Sequence, residues 1–457
     1  MTGTLVLIAY TLLMLGATLW LTRRSTTSED FCVSNRKLGL FQSSMSIAST
    51  WIWAPALFVS AEKAYGQGLV GLFWFTVPNI LCLIFFAGYA VKIRDRFPTG
   101  LTLSGYMHTV YSPRVKGVYL TQLTGIAVFS SAVQLLAGAT VLHLITGMPF
   151  WLLTVILAAI GYSYSRYSGI RASVVTDVLQ MGIILLVCAI CVPWSVLHQG
   201  GINAIVSGLG GVSGKFTDLF SADGMLVFWT FGLPTAIGLT SGPFGDQSFW
   251  QRAFSIDKRE IRKAFVIGAL IFGIVPLAMG TLGFVAASSG ITFTSTSVLS
   301  FELVAAILPA WVIIPFLFMI LSGLLSTIDS NLCAVASLAT DVKQDVTVRD
   351  QKRAMLLMLV AAIGIANIPG LTITTLFMIY GTLRATTLLP TIFTLNSRKL
   401  SEAGVFYGVI AGLTVGLPLF VLGTLSGNTL VKVIGSLTAA GLPGIVALLW
   451  PKREVTV

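Results

Sequence analysis

Charge is what this chain has least of. Charged residues make up 10% of its 457 positions, where a soluble domain carries about 25%. So few charges cannot cover a water-facing surface, so a multidomain soluble protein is excluded. Disorder is excluded for the same reason. Histidine is nearly absent too: His108, His143 and His198 are scattered and form no ligand cluster. Four of the five cysteines lie in apolar runs, so no disulfide framework is implied. Cys188 and Cys191 are spaced as a C-x-x-C inside an apolar helix, where small-residue packing explains them better than redox or metal chemistry. No nucleophile–base pair or metal cluster converges in any apolar segment, and the expectation is that the chain is not an enzyme.

What is abundant is apolar sequence: 55% of residues, with a mean hydropathy of +0.90. A spanning helix needs about 20 such residues. Thirteen candidate spans lie near 4–22, 41–61, 69–91, 117–145, 149–165, 173–197, 224–248, 262–288, 309–339, 354–369, 371–395, 402–423 and 430–450. The first has no basic stretch before it and no small-residue cleavage site after it, so it reads as a retained helix. The expectation is an all-α polytopic membrane protein without an appended soluble domain. Net charge is +11, which could suggest nucleic acid. Basic cytoplasmic loops explain it better. With the N-terminus outside and the C-terminus cytoplasmic, the outer segments hold only Lys63, Lys215 and Lys432 of the 28 basic residues, and Arg384 is intramembrane. The rest, among them Lys399, Lys452 and Arg453, fall inside. That asymmetry suits a multi-pass protein of a plasma membrane, in bacteria the inner one.

Two spans carry interruptions. The second contains Trp51-Ile52-Trp53-Ala54-Pro55, and the seventh contains Gly242-Pro243-Phe244-Gly245. Proline removes an amide and crowds the preceding turn. Breaks at matching positions in two halves point to a transporter binding site; a single one could be a packing kink. Charges deep in the spans are Asp177, Asp329 and Arg384, with Asp246 nearer the inner end, where it could pair with inner-face basic residues such as Arg252. A bound monovalent cation would balance the deep set. Alternatively one carboxyl holds a proton, or Arg384 forms a structural pair with Asp177 or Asp329. In the ninth span, Ser326, Thr327, Asp329 and Ser330 crowd side-chain oxygens into five positions. Such a cluster suits a small ion site, although a polar packing seam is the alternative.

The stretch Ser168-Gly169-Ile170-Arg171-Ala172, followed by Thr176-Asp177 and Gln180, resembles the G-G-x-x-A-x-x-x-T-D-x-x-Q signature of the sodium:solute symporters. Ser168 replaces the usual first glycine. Gly323 and Ser326-Thr327 match that family's paired sodium-binding hydroxyls, and the runs Ser49–Ala54 and Asp246–Ala253 look most like its urea-transporter branch. The resemblance implies a LeuT-like fold. Its two inverted five-helix repeats would occupy 41–197 and 224–395, joined by an external loop, 198–223. The flanks would be 1–40, with helix 1, and 396–457, with helices 12 and 13 and a cytoplasmic tail. It implies sodium bound by the carbonyls of Ser49, Ile52 and Gly323 and the hydroxyls of Ser326 and Thr327. A second sodium, found in some members, would use Asp177, Asp329 and Ser330.

The implied activity is sodium-coupled import of a small polar organic solute, urea or a small amine or amide, by alternating access. No other cofactor and no nucleic acid is expected. The pocket would be walled by Trp51, Trp53, Gln134, Thr240, Ser241, Thr375 and Tyr380. Three alternatives stay open: a carboxylate or amino-acid symporter using Arg384, a proton-coupled transporter using Asp177 or Asp329, and a solute sensor on the same fold.

Overall fold

The computed structural model describes residues 2–25, 27–343, 345–398 and 400–450. Lys399, Lys452 and Arg453, and the tail 451–457, lie outside them. The described chain is helical, and the pairing of Leu38 with Ile256 is its single isolated bridge. In chain order the principal helices are α1 (Thr2–Leu21), α2 (Leu40–Trp51), α3 (Ala54–Leu57), α4 (Val59–Arg96), α5 (Pro113–Thr146), α6 (Phe150–Ser168) and α7 (Ile170–His198). They continue as α8 (Leu233–Thr240), α9 (Gln247–Ser255), α10 (Ile261–Ser288), α11 (Ile313–Leu338), α12 (Val348–Ala366), α13 (Ile373–Ala385), α14 (Leu388–Leu395), α15 (Glu402–Ala411), α16 (Leu417–Leu425) and α17 (Thr429–Leu449).

Among the described residues, 10 helices are long and apolar enough to cross a membrane, which is fewer than the expected thirteen spans. The other three segments are helical but fall short for visible reasons. The second is split between α2 and α3. The fifth, α6, ends in the polar run Tyr162–Arg166, and the tenth, α12, begins with Arg349, Asp350, Lys352 and Arg353.

Both expected interruptions are present. Helix α2 stops at Trp51, Ile52 and Trp53 leave helical geometry, and Pro55 sits in the first turn of α3, where its missing amide costs nothing. Helix α8 stops at Thr240, residues 241–245 run as turns, and α9 restarts at Gln247 with the extended Asp246 as its cap. A third bend, at Gln67–Gly68 inside α4, separates the second span from the third. Gly68 has φ +55, and a Cβ there would lie 2.5 Å from the Leu209 carbonyl oxygen. The segment 198–223 closes on this bend through Leu69 N–H to Leu209 O at 2.8 Å.

Helix α10 packs along α4 through small residues. A Cβ on Gly283 would lie 2.4 Å from the Ala61 carbonyl oxygen, and one on Gly280 would lie 2.5 Å from the Leu72 side chain. In a bilayer, where lipid tails are as apolar as leucine, such close backbone approach is a main source of helix association. Gly283→Val should therefore wedge α10 from α4 and destabilise the protein by about 1–3 kcal/mol. A lowered melting temperature of the detergent-solubilised protein is the expected reading; an unchanged one would contradict this packing.

Candidate functional site

The break in the second span exposes main-chain oxygens that a continuous helix would satisfy. The Ala54 N–H, the ordinary partner of the Thr50 carbonyl, instead donates to Gln134 Oε1 on α5 at 2.6 Å. Pro55 offers nothing to the Trp51 carbonyl. The Ala56 N–H, which would serve Ile52, goes to Trp53 O at 2.9 Å. Thr327 Oγ1, on α11, lies 3.3 Å from each of the carbonyl oxygens of Thr50, Ile52 and Gly323. One hydroxyl proton can serve only one of three acceptors. The group is thus rich in oxygen and short of donors, which suits a small hard cation.

Beside it, Ser49 Oγ donates to Ser326 Oγ at 2.8 Å, and Ser326 Oγ donates to Asp177 Oδ1 at 2.7 Å. The expected residues Ser49, Ile52, Gly323, Ser326 and Thr327 therefore meet. One detail differs. The Thr50 carbonyl, which sequence reasoning had not named, lies beside Thr327, and the Ser49 carbonyl accepts the Ile52 N–H that it shares with Ala48.

Asp177, Asp329 and Ser330 also gather. Asp329 accepts from Ser173 Oγ at 2.7 Å, Thr176 Oγ1 at 3.2 Å and Ser330 Oγ at 3.3 Å. Among them stands a residue that sequence reasoning left at the inner face. Arg252 is 1% exposed and forms an ion pair of 3.0 Å with the fully buried Asp177. The signal was available: α9 carries Gln247, Ser248, Gln251, Arg252 and Ser255 and buries them all. So polar a helix needs polar partners on every side.

A second group lies on the other face of the break. Arg384 on α13 pairs with Asp246 at 2.8 Å. This corrects the expected partner, Asp177 or Asp329, because the break before α9 brings Asp246 against α13. The Arg384 guanidinium also stands 4.9 Å from the Trp53 ring centroid, 5.4 Å from Trp51 and 4.6 Å from Tyr380. The Trp51 and Trp53 rings stack at 4.7 Å. Arg384 Nε and Nη1, Trp53 Nε1 and Tyr380 Oη are buried without hydrogen-bond partners among the described residues. A Cβ on Gly245 would lie 2.8 Å from the Arg384 Cα, and one on Gly242 would lie 2.4 Å from the Trp51 ring, so the Gly-Pro-x-Gly turn admits this close approach.

The remaining expected pocket residues are placed elsewhere. Gln134 caps the Ala54 amide. Ser241 Oγ donates to its own helix at Ile237 O, 2.7 Å. Thr240 lines an apolar cleft of about 450 Å³ with Phe73, Trp74, Leu81 and Phe85. Thr375 sits at the start of α13, hydrogen-bonded to Thr372.

A profile described as "Sodium:solute symporter family" matches residues 31–412. Relatives include a "Probable urea active transporter 1" of Schizosaccharomyces pombe, 25% identical over 57% of this chain and 41% of the relative. The chain thus spans well under two thirds of that relative. A "Sodium/pantothenate symporter" of Haemophilus influenzae is 25% identical over 73% of this chain and 70% of that protein. Among solved structures, a Na+-coupled sialic acid symporter in a substrate-bound outward-open state superposes with a TM-score of 0.78 over 99% of both chains, at 15% identity. A nucleobase-cation-symport-1 family transporter in a closed conformation gives 0.60 over 91% of this chain and 93% of that one, at 14% identity. The fold is LeuT-like.

Gln134→Leu should strand the buried Ala54 amide at a cost of about 1–3 kcal/mol. The expected reading is a clear fall in the melting temperature of the leucine variant. Equal stability of the leucine variant and the parent would contradict the capping role.

Proposed function

Because this chain belongs to the sodium:solute symporter family, we propose that it imports a small polar organic solute together with sodium by alternating access. The observation that carries this reading is the Thr327 hydroxyl set against three carbonyls, two of them freed by the break in the second span. Sodium is a substrate here. The carbonyls of Thr50, Ile52 and Gly323 and the hydroxyls of Ser326 and Thr327 replace its water shell, and Ser49 positions Ser326. Binding the ion fixes the non-helical pair Ile52–Trp53. The same ordering positions Trp53 against Tyr380 and Arg384, so ion and solute share one ordering cost and bind cooperatively. Each charge carried inward gains about 2.3 kcal/mol per 100 mV of membrane potential. In this reading the N-terminus is outside, the C-terminus is cytoplasmic, and 41–197 and 224–395 are the two inverted repeats that rock against each other.

The solute faces a donor-rich pocket. Among the described residues, Arg384 Nε and Nη1, Tyr380 Oη and Trp53 Nε1 all lack acceptors, while the Arg384 charge is already met by Asp246. A carboxylate would add an uncompensated charge there. An uncharged, flat solute with a carbonyl oxygen, such as urea or a small amide, meets the donors and lies against the tryptophan rings.

Purified protein in proteoliposomes should take up labelled urea or acetamide under an inward sodium gradient and not under an equal potassium gradient. Thr327→Ala should raise the sodium concentration for half-maximal uptake at least about tenfold, the equivalent of roughly 1.4 kcal/mol. Equal uptake in both salts sinks the sodium coupling. Competition by acetate rather than acetamide sinks the solute assignment.

A further inference from the structure

An apolar cleft with a charged mouth opens between α5, α11 and α12, away from the broken spans. It encloses about 690 Å³, and its walls include Leu120 and Val128 of α5, Leu338 of α11, and Leu357, Met358 and Ala361 of α12. Its charged lining residues, Lys343, Asp350 and Arg353, all lie at one end, where α11 has finished and α12 begins. We propose that this cleft holds an acyl chain of an anionic phospholipid, with the lipid phosphate on Lys343 and Arg353.

The shape fits a lipid. Arg353, Leu357 and Ala361 stand four residues apart, so they follow one face of α12 from the charged end into the apolar track. From Arg353 to Ala361 the helix rises about 12 Å, close to the roughly 15 Å that the hydrocarbon of one leaflet spans. Leu356, Leu357 and Val360 are exposed, so this side of α12 faces lipid in a bilayer. The polar wall residue Thr121 spends its hydroxyl on its own helix, at Gly117 O, 2.9 Å away.

Charge selects the headgroup. Asp350 stands between the two bases and does not saturate them. Its Oδ2 accepts the Thr347 N–H at 3.1 Å and the Thr347 hydroxyl at 2.9 Å, as the capping box of α12. Lys343 Nζ and Arg353 Nη1 stay 3.6 and 3.8 Å from its oxygens, outside hydrogen-bond reach. Both basic side chains are mostly exposed, at 62% and 69%. Two bases against one carboxylate leave a net positive charge, which a phosphodiester meets with charge-assisted hydrogen bonds. A zwitterionic headgroup would bring a cation of its own to the same place. In the orientation proposed above, this end is cytoplasmic, the side on which basic pockets between helices meet anionic lipids. The inference depends on neither the solute nor the sodium coupling.

Native mass spectrometry of the purified full chain in detergent tests it, with phosphatidylglycerol or phosphatidylcholine of the same acyl chains added in turn. The parent should bind phosphatidylglycerol at least about tenfold more tightly, since each basic residue near the phosphate contributes roughly 1 kcal/mol. Lys343→Ala with Arg353→Ala should remove that preference. Ala361→Trp, which fills the track from an exposed position, should weaken binding of both lipids. Equal binding of the two lipids by the parent, or a preference that survives in the double variant, overturns the proposal. So does unchanged lipid binding by a folded Ala361→Trp variant, or displacement of the lipid by free glycerol phosphate, which has no chain to place in the cleft. If the tryptophan variant does not fold, the two charge comparisons decide.

Discussion

A polypeptide inside a bilayer has no water to satisfy its backbone, so each interrupted turn must find partners within the protein. Ile52 and Trp53 interrupt such a turn at the centre of this chain, and what happens to the freed groups governs the rest of the site. The freed amide, that of Ala54, is met by Gln134. The freed carbonyls face Thr327, whose single proton leaves acceptors in surplus. A protein side chain thus closes the donor side of the break, and the acceptor side invites a cation.

The second break organises the charges around the first. Asp246 caps α9 and reaches Arg384 beside the two tryptophans. Six residues later, about 9 Å along the same helix, Arg252 reaches Asp177, which in turn accepts from Ser326. One half-helix therefore reaches both Asp177, next to Ser326, and the aromatic cluster around Arg384.

Proline and glycine made the breaks legible in the sequence, because their backbone chemistry acts locally. The oxygen cluster Ser326–Ser330 was legible because four oxygen-bearing side chains in five positions of a membrane helix are costly without a use. The partners across the fold were not legible. Gln134 meets Ala54 from 80 positions away, and no local pattern announces that. Arg252 read as an inner-face residue because a continuous seventh span would have carried it to the membrane surface; the restart at Asp246 keeps it inside. Thr240 and Thr375 are of the right chemical type, but which way a mostly apolar helix rotates depends on its neighbours, and the structure sets Thr240 in a cleft beside Phe73 and Trp74 and Thr375 at a helix start.

The central claim is that sodium completes the broken turn at Ile52–Trp53. Amide hydrogen exchange over residues 48–58, followed by mass spectrometry in sodium and in potassium, tests it most directly. Slower exchange in sodium, abolished by Thr327→Ala, is what the account requires. Identical exchange in the two salts would contradict it.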